Sequence, residues 1–375
     1  MLVAIDARVI GFRRSGVGEY THQLLKHFSY LDTEIEYVLF LNTSFKNNQF
    51  EELTSFFRTK YLSLSSEGKL FNFLKTHGEL PVRLFQLRPS LFHSPGPIAP
   101  VFKTAPTVLT IHDLSFLKFS DIFTGLQNSY YRAFVPRIAR YADRIISVSR
   151  NTCQDVIDLL KISEDKIRIV YNGVDIKYFS RSSIKREDLS KKEESLEKYI
   201  LFLGVLEPRK NICRLIRAYA SLPAYLRNNY KLIIAGSEGW LYKDIYSLVR
   251  ELSLSERVVF TGEVPDNELP ALYRGASLFV YPSLMEGFGI PPLEAMACGI
   301  PVIASNTSCF PEVLADGALL INPLDEEELS HSMVRVLTDK ELSSELVSKG
   351  IKRASLFSWE DSARRTLEVY RELLY

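Results

Sequence analysis

A chain of 375 residues, 46% of them hydrophobic, is too long for one ordinary core and carries enough apolar surface to build two. Its 46 lysines and arginines are balanced by 45 aspartates and glutamates, a net charge of +1, so no global basic field marks nucleic acid as a partner, and no RNA-recognition, zinc-ligand or basic-helix pattern substitutes for one. Four cysteines, Cys153, Cys213, Cys298 and Cys309, stand without a CxxC spacing or a histidine partner and read as reduced thiols of a cytoplasmic protein, not as a disulfide framework or metal site.

The chain opens on an apolar strand, LVAIDAR, that runs into GFRRSGVGEYTHQLL. Asp6, Arg8, Arg13 and Arg14 break the apolar stretch that a signal peptide needs, and no segment reaches the length of a membrane span. Gly16 and Gly18 permit a tight loop before an amphipathic helix, and a lone GxG serves equally as a plain connection or as a ligand contact. Arg13 and Arg14 offer charge to an acceptor phosphate or to solvent. Short β-branched runs, EYVLF, TVLTI, RIISV and KIRIV, then alternate with helical periodicity, the βαβ rhythm of a parallel sheet covered by helices. Between Phe45 and Leu91 phenylalanines and leucines mix with lysines and arginines, as in an amphipathic helix packed on its own sheet or lying on a membrane surface. His112 follows TVLTI, which places its imidazole at the carboxyl end of a strand, and Asp113 can orient it or cap the next turn.

Residues 176–198 turn polar and charged (RSSIKREDLSKKEESLEK) and read as a solvated linker. A second series of strands follows in YILFLG, YKLIIAG, RVVFTG, SLFVYP and PVIAS, several ending in Gly or Pro where a ligand can approach. The predicted fold class is α/β, with two doubly wound Rossmann-like domains, residues 1–175 and 199–357, facing each other across a deep cleft. Ligands in open α/β sheets gather beyond the carboxyl ends of the strands, so the cleft is the expected place for chemistry. Arg209 and Lys210 follow the first strand of the second series. Cations at a helix start oppose the dipole, and a bound anion explains them better than solvent does.

The richest stretch is YPSLMEGFGIPPLEAMACGIPVIAS, Tyr281 to Ser305. An apolar run delivers the chain to a strand end, and Gly287, Gly289, Pro291 and Pro292 make a turn and a helix entry. Unpaired N–H groups at that entry suit phosphate or anionic sugar oxygens, and glycines let the ligand come close. Glu294, inside the helix, can accept hydrogen bonds from two ribose hydroxyls, while Glu286, before the turn, faces whatever the phosphate carries. The same residues as isolated surface charges would need no ligand, but the helix LEAMACG is too apolar for a surface element.

The E-x7-E spacing of EGFGIPPLE, followed by AMACGIPVIAS, resembles the donor signature of glycosyltransferase family 4, retaining enzymes of the GT-B fold. The resemblance continues through TVLTIHD (Thr107 to Asp113), SVSR (Ser147 to Arg150), YNGVD (Tyr171 to Asp175), FLGVLEPRKN (Phe202 to Asn211) and FTGEVP (Phe260 to Pro265). It implies that a last helix, 358–375, returns to brace the N-terminal domain, and that the Gly16 and Gly18 loop closes over the donor phosphates. It implies that His112 and Glu286 are catalytic, His112 touching the transferred sugar. Arg209 and Lys210 would neutralise the departing β-phosphate, Val264 would meet the base through its backbone, and Gly287, Phe288, Gly289, Ile290 and Glu294 would line the donor. The chain has Val205 where many members carry an arginine, which leaves Arg209 to substitute for it from another angle.

No Asp-x-Asp follows a strand, so the expected reaction needs no metal and no cofactor. No carboxylate identifies itself as a covalent nucleophile, which favours same-face displacement in which the departing phosphate takes the acceptor proton. The motifs look most like bacterial mannosyltransferases of polysaccharide assembly. GDP-mannose is thus the expected donor, with a UDP-sugar as the alternative, and a saccharide or lipid-linked saccharide the acceptor, with peripheral contact at the inner membrane surface. A sugar-nucleotide epimerase of the same fold and a non-catalytic sugar-nucleotide-binding protein are the rivals. The epimerase would need an acid/base pair, and only His112 offers itself.

Overall fold

Two parallel sheets organise the chain, and in each of them one pair of neighbouring strands is not consecutive in sequence. The protein is described by a computed structural model that covers residues 1–10, 16–31, 34–42, 55–62, 69–119, 126–180 and 198–375. Unit 1 comprises Met1–Gly173 and Trp359–Tyr375, and unit 2 comprises Val174–Ser358.

In unit 1, β1 (Leu2–Asp6), β2 (Glu36–Asn42), β3 (Arg58–Leu62), β4 (Leu91–Ser94), β5 (Thr107–Ile111), β6 (Arg144–Ser147) and β7 (Ile167–Ile169) lie in the order β3-β2-β1-β4-β5-β6-β7. In unit 2, β8 (Lys198–Leu203), β9 (Tyr230–Ala235), β10 (Val258–Gly262), β11 (Leu278–Tyr281), β12 (Val302–Ser305) and β13 (Leu319–Ile321) lie in the order β10-β9-β8-β11-β12-β13. Every pairing is parallel. Strands β5, β11 and β12 are buried along their whole length, as strands covered by helices on both faces must be. The winding reverses between β1 and β4 and between β8 and β11, and the carboxyl ends at such switch points are where open sheets leave a crevice.

Helices α1 (Gly16–Leu31), α2 (Lys69–Leu74), α3 (Leu80–Leu87), α4 (Leu126–Tyr141) and α5 (Arg150–Leu160) belong to unit 1, with a π-turn at Lys75–Glu79 joining α2 to α3. Ser149 caps α5 by accepting from the Thr152 amide at 3.1 Å, which is what the SVSR sequence supplies locally. In unit 2 the helices that bear on the site are α6 (Ile176–Ser180), α7 (Ile212–Ala220), α8 (Leu269–Gly275), α9 (Ile290–Ala297) and α10 (Lys340–Ala354). The last helix, α11 (Trp359–Leu374), returns to unit 1 and packs on α1 and β4. Tyr370 Oη lies 2.6 Å from His93 Nδ1 in β4, and Arg144 Nε and Arg168 Nε each donate to Glu372 at 2.7 Å.

Two expectations need correction. The segment from 45 to 91 is not simply an amphipathic helix: it contains edge strand β3 and buried strand β4, with α2, the π-turn and α3 between them, while residues 43–54 and 63–68 lie outside the described residues. Helix α3 does pack through Leu80, Pro81 and Leu84, yet Leu74, Val82 and Phe85 remain exposed at 57%, 56% and 67%. The stretch 176–198 does not begin as a linker. Residues 176–180 form α6, whose buried Phe179 meets the Tyr273 ring edge-on at 5.8 Å, so an apolar anchor ties this end to unit 2; residues 181–197 lie outside the described residues. Among the described residues no helix is long and apolar enough to cross a membrane.

Candidate active site

The densest group of buried charges in unit 2 stands at the switch point between β8 and β11. After β8 the chain passes through Glu207 and a turn at Pro208–Lys210, and Asn211 takes a left-handed conformation (φ 61°) before α7 begins. Its side-chain amide donates to the Pro282 and Pro323 carbonyls at 3.0 and 2.7 Å, fixing the turn against the loop after β11. The Leu284 amide donates back to the Arg209 carbonyl at 2.9 Å. The two strand-end loops are therefore stitched together before any side-chain charge is considered.

Glu286 is the hub. Lys210 Nζ donates to its Oε1 at 2.6 Å, Arg209 Nη1 to its Oε2 at 3.0 Å, and Ser283 Oγ to Oε1 at 2.7 Å. Ser308 Oγ accepts from its amide at 3.1 Å and donates to its carbonyl at 2.6 Å. Arg209 Nη1 also donates to the Met285 carbonyl at 2.5 Å, and Arg209 Nη2 lies 2.7 Å from Glu207 Oε1. Lys210 Nζ reaches the Tyr281 hydroxyl at 2.7 Å. Two cations and two carboxylates, all mostly buried, thus cancel each other's charge.

The two carboxylates are not equivalent. Burial pushes both upward, but Arg209 and Lys210 together with the Lys210 and Ser283 hydrogen bonds pull Glu286 down to about 2. For Glu207 burial prevails over Arg209 and Lys210, with the Glu286 charge opposing a second ionisation, and its carboxyl is raised. Glu286 is a firm anion, while Glu207, raised by burial, holds Arg209 through Nε at 3.0 Å and Nη2 at 2.7 Å.

Gly289 enters α9 with φ 89°, and a Cβ there would stand 2.7 Å from the Phe310 ring. Gly287 and Phe288 are buried, with Phe288 edge-on to Phe357 at 5.4 Å, and Ile290 is partly covered. Glu294 is buried in α9 and accepts from the Tyr273 hydroxyl at 2.7 Å, so it is not a solvated helix residue. Val264 lies half-buried in the loop after β10.

The remaining predicted residues belong to unit 1. His112 follows β5 and donates through Nε2 to the Pro95 carbonyl at 2.8 Å, with its ring edge-on to Tyr20 at 4.8 Å. Burial lowers its pKa despite the opposing pull of that carbonyl and Asp113, which keeps the ring neutral, with the Nε2 proton donated to the Pro95 carbonyl and Nδ1 left as the acceptor nitrogen. Asp113 caps the next turn, accepting from the Ser115 amide and hydroxyl at 2.9 and 2.6 Å. Gly16 is exposed at the first position of α1, where an added Cβ would meet nothing within 4 Å among the described residues, while Gly18 is buried one half-turn on. Arg13 and Arg14 lie outside the described residues.

The structure thus unites Arg209, Lys210 and Glu286 and sets the α9 entry directly after them. Glu207, Tyr281, Ser283 and Ser308 were not singled out from sequence. Glu207 stands two residues before Arg209 and so was within reach of a charge-pairing argument; Tyr281 meets Lys210 because β8 lies beside β11, Ser308 meets Glu286 because β12 lies beside β11, and Ser283 reaches Glu286 within the loop after β11.

Residues 14–178 match the family model described as Glycosyltransferase Family 4, and residues 184–353 match that described as Glycosyl transferases group 1. The chain is 29% identical over 386 residues to O-antigen chain mannosyltransferase B of Escherichia coli, with all of both chains covered. It is 34% identical over 274 residues to the serotype-specific mannosyltransferase WbdA of Escherichia coli, matching 72% of this chain but 34% of that protein, so it spans about a third of that relative's length. Sucrose-phosphate synthase from Thermosynechococcus elongatus has a similar fold, with a TM-score of 0.80 at 24% identity over 99% of this chain and 98% of that one.

Proposed function

The chain belongs to the family 4 glycosyltransferases, and we propose that it moves a mannosyl group from GDP-mannose to a saccharide or lipid-linked saccharide, with retention and without a metal ion. The mannosyl choice rests on the two Escherichia coli relatives being mannosyltransferases. The observation that carries the reading is the neutral cluster of Glu207, Arg209, Lys210 and Glu286 at the β8/β11 switch point, next to the glycine entry of α9.

A diphosphate arriving there meets cations already assembled. Arg209, held between Glu207 and Glu286, and Lys210, placed by Glu286, are the cations that would meet the β-phosphate. The Gly289 and Ile290 amides add donors at the helix start. Glu294, oriented by Tyr273, receives the ribose hydroxyls, and Val264 meets the base. From the resemblance, His112 is assigned to the transferred sugar, where its unprotonated Nδ1 suits a hydroxyl donor, and Gly16 and Gly18 to the donor phosphates. The C1–phosphate bond breaks, the acceptor oxygen bonds C1 on the same face, and the acceptor proton passes to the departing phosphate. The exposed Leu74, Val82 and Phe85 support peripheral contact with the cytoplasmic face of a membrane.

Thermal stabilisation by GDP, UDP, ADP and their sugar conjugates in a chelator tests the donor assignment, since a ligand of the folded state raises its melting temperature by mass action. GDP and GDP-mannose are expected to give the largest shift. A shift with UDP conjugates alone would overturn the base assignment, and conversion of the donor to an epimeric sugar nucleotide would favour the epimerase reading.

A further inference from the structure

Unit 1 holds a polar chain that the donor chemistry does not use. Asp6, the last residue of β1, and Arg8 form a buried ion pair through two parallel bonds, Arg8 Nε to Oδ1 at 2.7 Å and Nη2 to Oδ2 at 2.6 Å. Arg8 Nη1 donates to Thr76 Oγ1 at 3.2 Å. Thr76 belongs to the π-turn Lys75–Glu79, and the next residue, His77, lies 2.6 Å through Nε2 from the hydroxyl of Tyr130 in α4. A π-turn is less favourable than continued α-helix and recurs where side chains must be re-aimed at functional sites. Here it buries two consecutive polar residues, one on Arg8 and one on Tyr130.

The tautomer follows from what is buried. Among the described residues His77 Nδ1 has no hydrogen-bond partner, and its ring stacks on Phe134 at 5.2 Å and leans on Phe73 at 4.6 Å. A buried N–H without an acceptor is the costlier orphan, so the proton sits on Nε2 and is donated to Tyr130 Oη. The Tyr130 O–H is then not spent on His77, and no other partner for it occurs among the described residues. Burial and nearby Arg8 hold His77 down to about 4, and burial raises the Tyr130 phenol, so both are neutral around pH 7. Asp6 cancels Arg8, and Glu79 pairs with both Lys75 and Arg83. Tyr130 itself is half-buried in the first turns of α4, and Arg8 directly follows β1, both at the carboxyl edge where such sheets bind ligands. A neutral donor flanked by half-buried Phe73 and Phe134 fits a sugar ring with its hydroxyls and C–H face, not a phosphate.

We propose that Tyr130 binds the acceptor by donating its hydroxyl proton to an oxygen of a neutral sugar ring, and that His77, Thr76 and Arg8 are positioning residues that hold it. This assignment rests on the glycosyl-transfer reading for its biological meaning, so the test includes direct binding. Tyr130→Phe raises the acceptor KM about three- to tenfold, the worth of one neutral hydrogen bond, with kcat and GDP affinity unchanged. His77→Phe keeps the ring stack and gives the same split, the double variant is no worse than either single one, and His77→Gln restores part of the loss. Methyl α-D-mannoside followed by saturation-transfer NMR contacts the wild type and loses affinity in Tyr130→Phe, while inorganic phosphate shows no dependence on Tyr130. An unchanged KM, a parallel fall in GDP affinity, or phosphate sensitivity at Tyr130 would overturn the proposal. A wild type that binds the mannoside through Tyr130 but transfers nothing would sink the transfer reading and leave this one standing. Transfer with mannoside binding indifferent to Tyr130 would do the reverse.

Discussion

Glu286 keeps its negative charge in a buried place because two cations and a hydroxyl outweigh the cost of desolvation. Its folded-state value, about 2, lies below the ordinary 4.5, so its contribution to stability is full above pH 4.5 and is lost as the pH falls toward 2. His93, pressed by burial and by His112 to about 3 from 6.5, is stabilising above pH 6.5 and opposes folding increasingly as acid charges it. The two groups therefore occupy different windows. Glu286→Gln leaves Arg209 and Lys210 buried with only Glu207 opposite them and should cost about 3 kcal/mol at pH 7, the low end for breaking a buried pair. Denaturant titrations across pH should show its stability curve flattened below about pH 4.5, where Glu286 itself titrates, with a further change just above it because Glu207 loses the neighbouring charge that helps raise its carboxyl. Flattening across the whole range would mean that the charge cluster is not where this carboxylate acts. Turnover should fall far more than GDP affinity, because Glu294 and the α9 entry remain.

At the scale of single elements, two glycines at helix starts make opposite predictions. Gly289 needs its left-handed conformation, and a methyl group there would strike Phe310, so Gly289→Ala should destabilise by about 2–4 kcal/mol from the positive φ and the displaced ring. Among the described residues nothing stands within 4 Å of a Cβ added at Gly16 in the first turn of α1, so Gly16→Ala should leave the melting temperature equal or slightly higher. If the α1 entry closes on donor phosphates, the same variant should still weaken donor binding measured by calorimetry. Unchanged donor affinity in Gly16→Ala would return this glycine to a plain connection. The α9 entry was legible because glycines and prolines punctuate it, and the long strands were legible because β-branched runs recur. Strand β3 was not, since RTKYL is a partly exposed edge carrying two cations. Strand β4 was hidden by its four residues and by a buried histidine, His93, that looks polar until Tyr370 and Thr110 satisfy it. The charged half of the site could be read from residue types in a motif. Tyr281 and Ser308 could not, because their roles depend on strand order, nor could Ser283, whose role depends on the path of the loop after β11, and Tyr130 could not, because no periodicity announces a π-turn.

For the whole molecule, a net charge of +1 spread over 375 residues gives no long-range attraction toward an anionic surface. Any membrane contact must then be local and mainly apolar. Unit 1 offers such a patch: Val82 and Phe85 share a face of α3 at i,i+3 spacing, Leu74 precedes the π-turn, and all three are more than half exposed. Lys75 and Arg83 both pair with Glu79, and exposed Arg88 ends the helix, so charge borders the apolar side chains. The composition of the patch predicts vesicle binding that tolerates salt better than a polybasic segment would, because screening weakens only the minor part of the attraction. Co-sedimentation with phosphatidylglycerol-containing vesicles should therefore persist at high salt and should be lost in the double variant Val82→Glu, Phe85→Glu. Both side chains are exposed, so the melting temperature and GDP affinity of that variant should stay at wild-type values, as expected for surface changes within about 0.5 kcal/mol. Binding that survives the substitutions, or that disappears in salt while the apolar side chains are intact, would assign membrane contact to some other surface and leave these residues without an interfacial role.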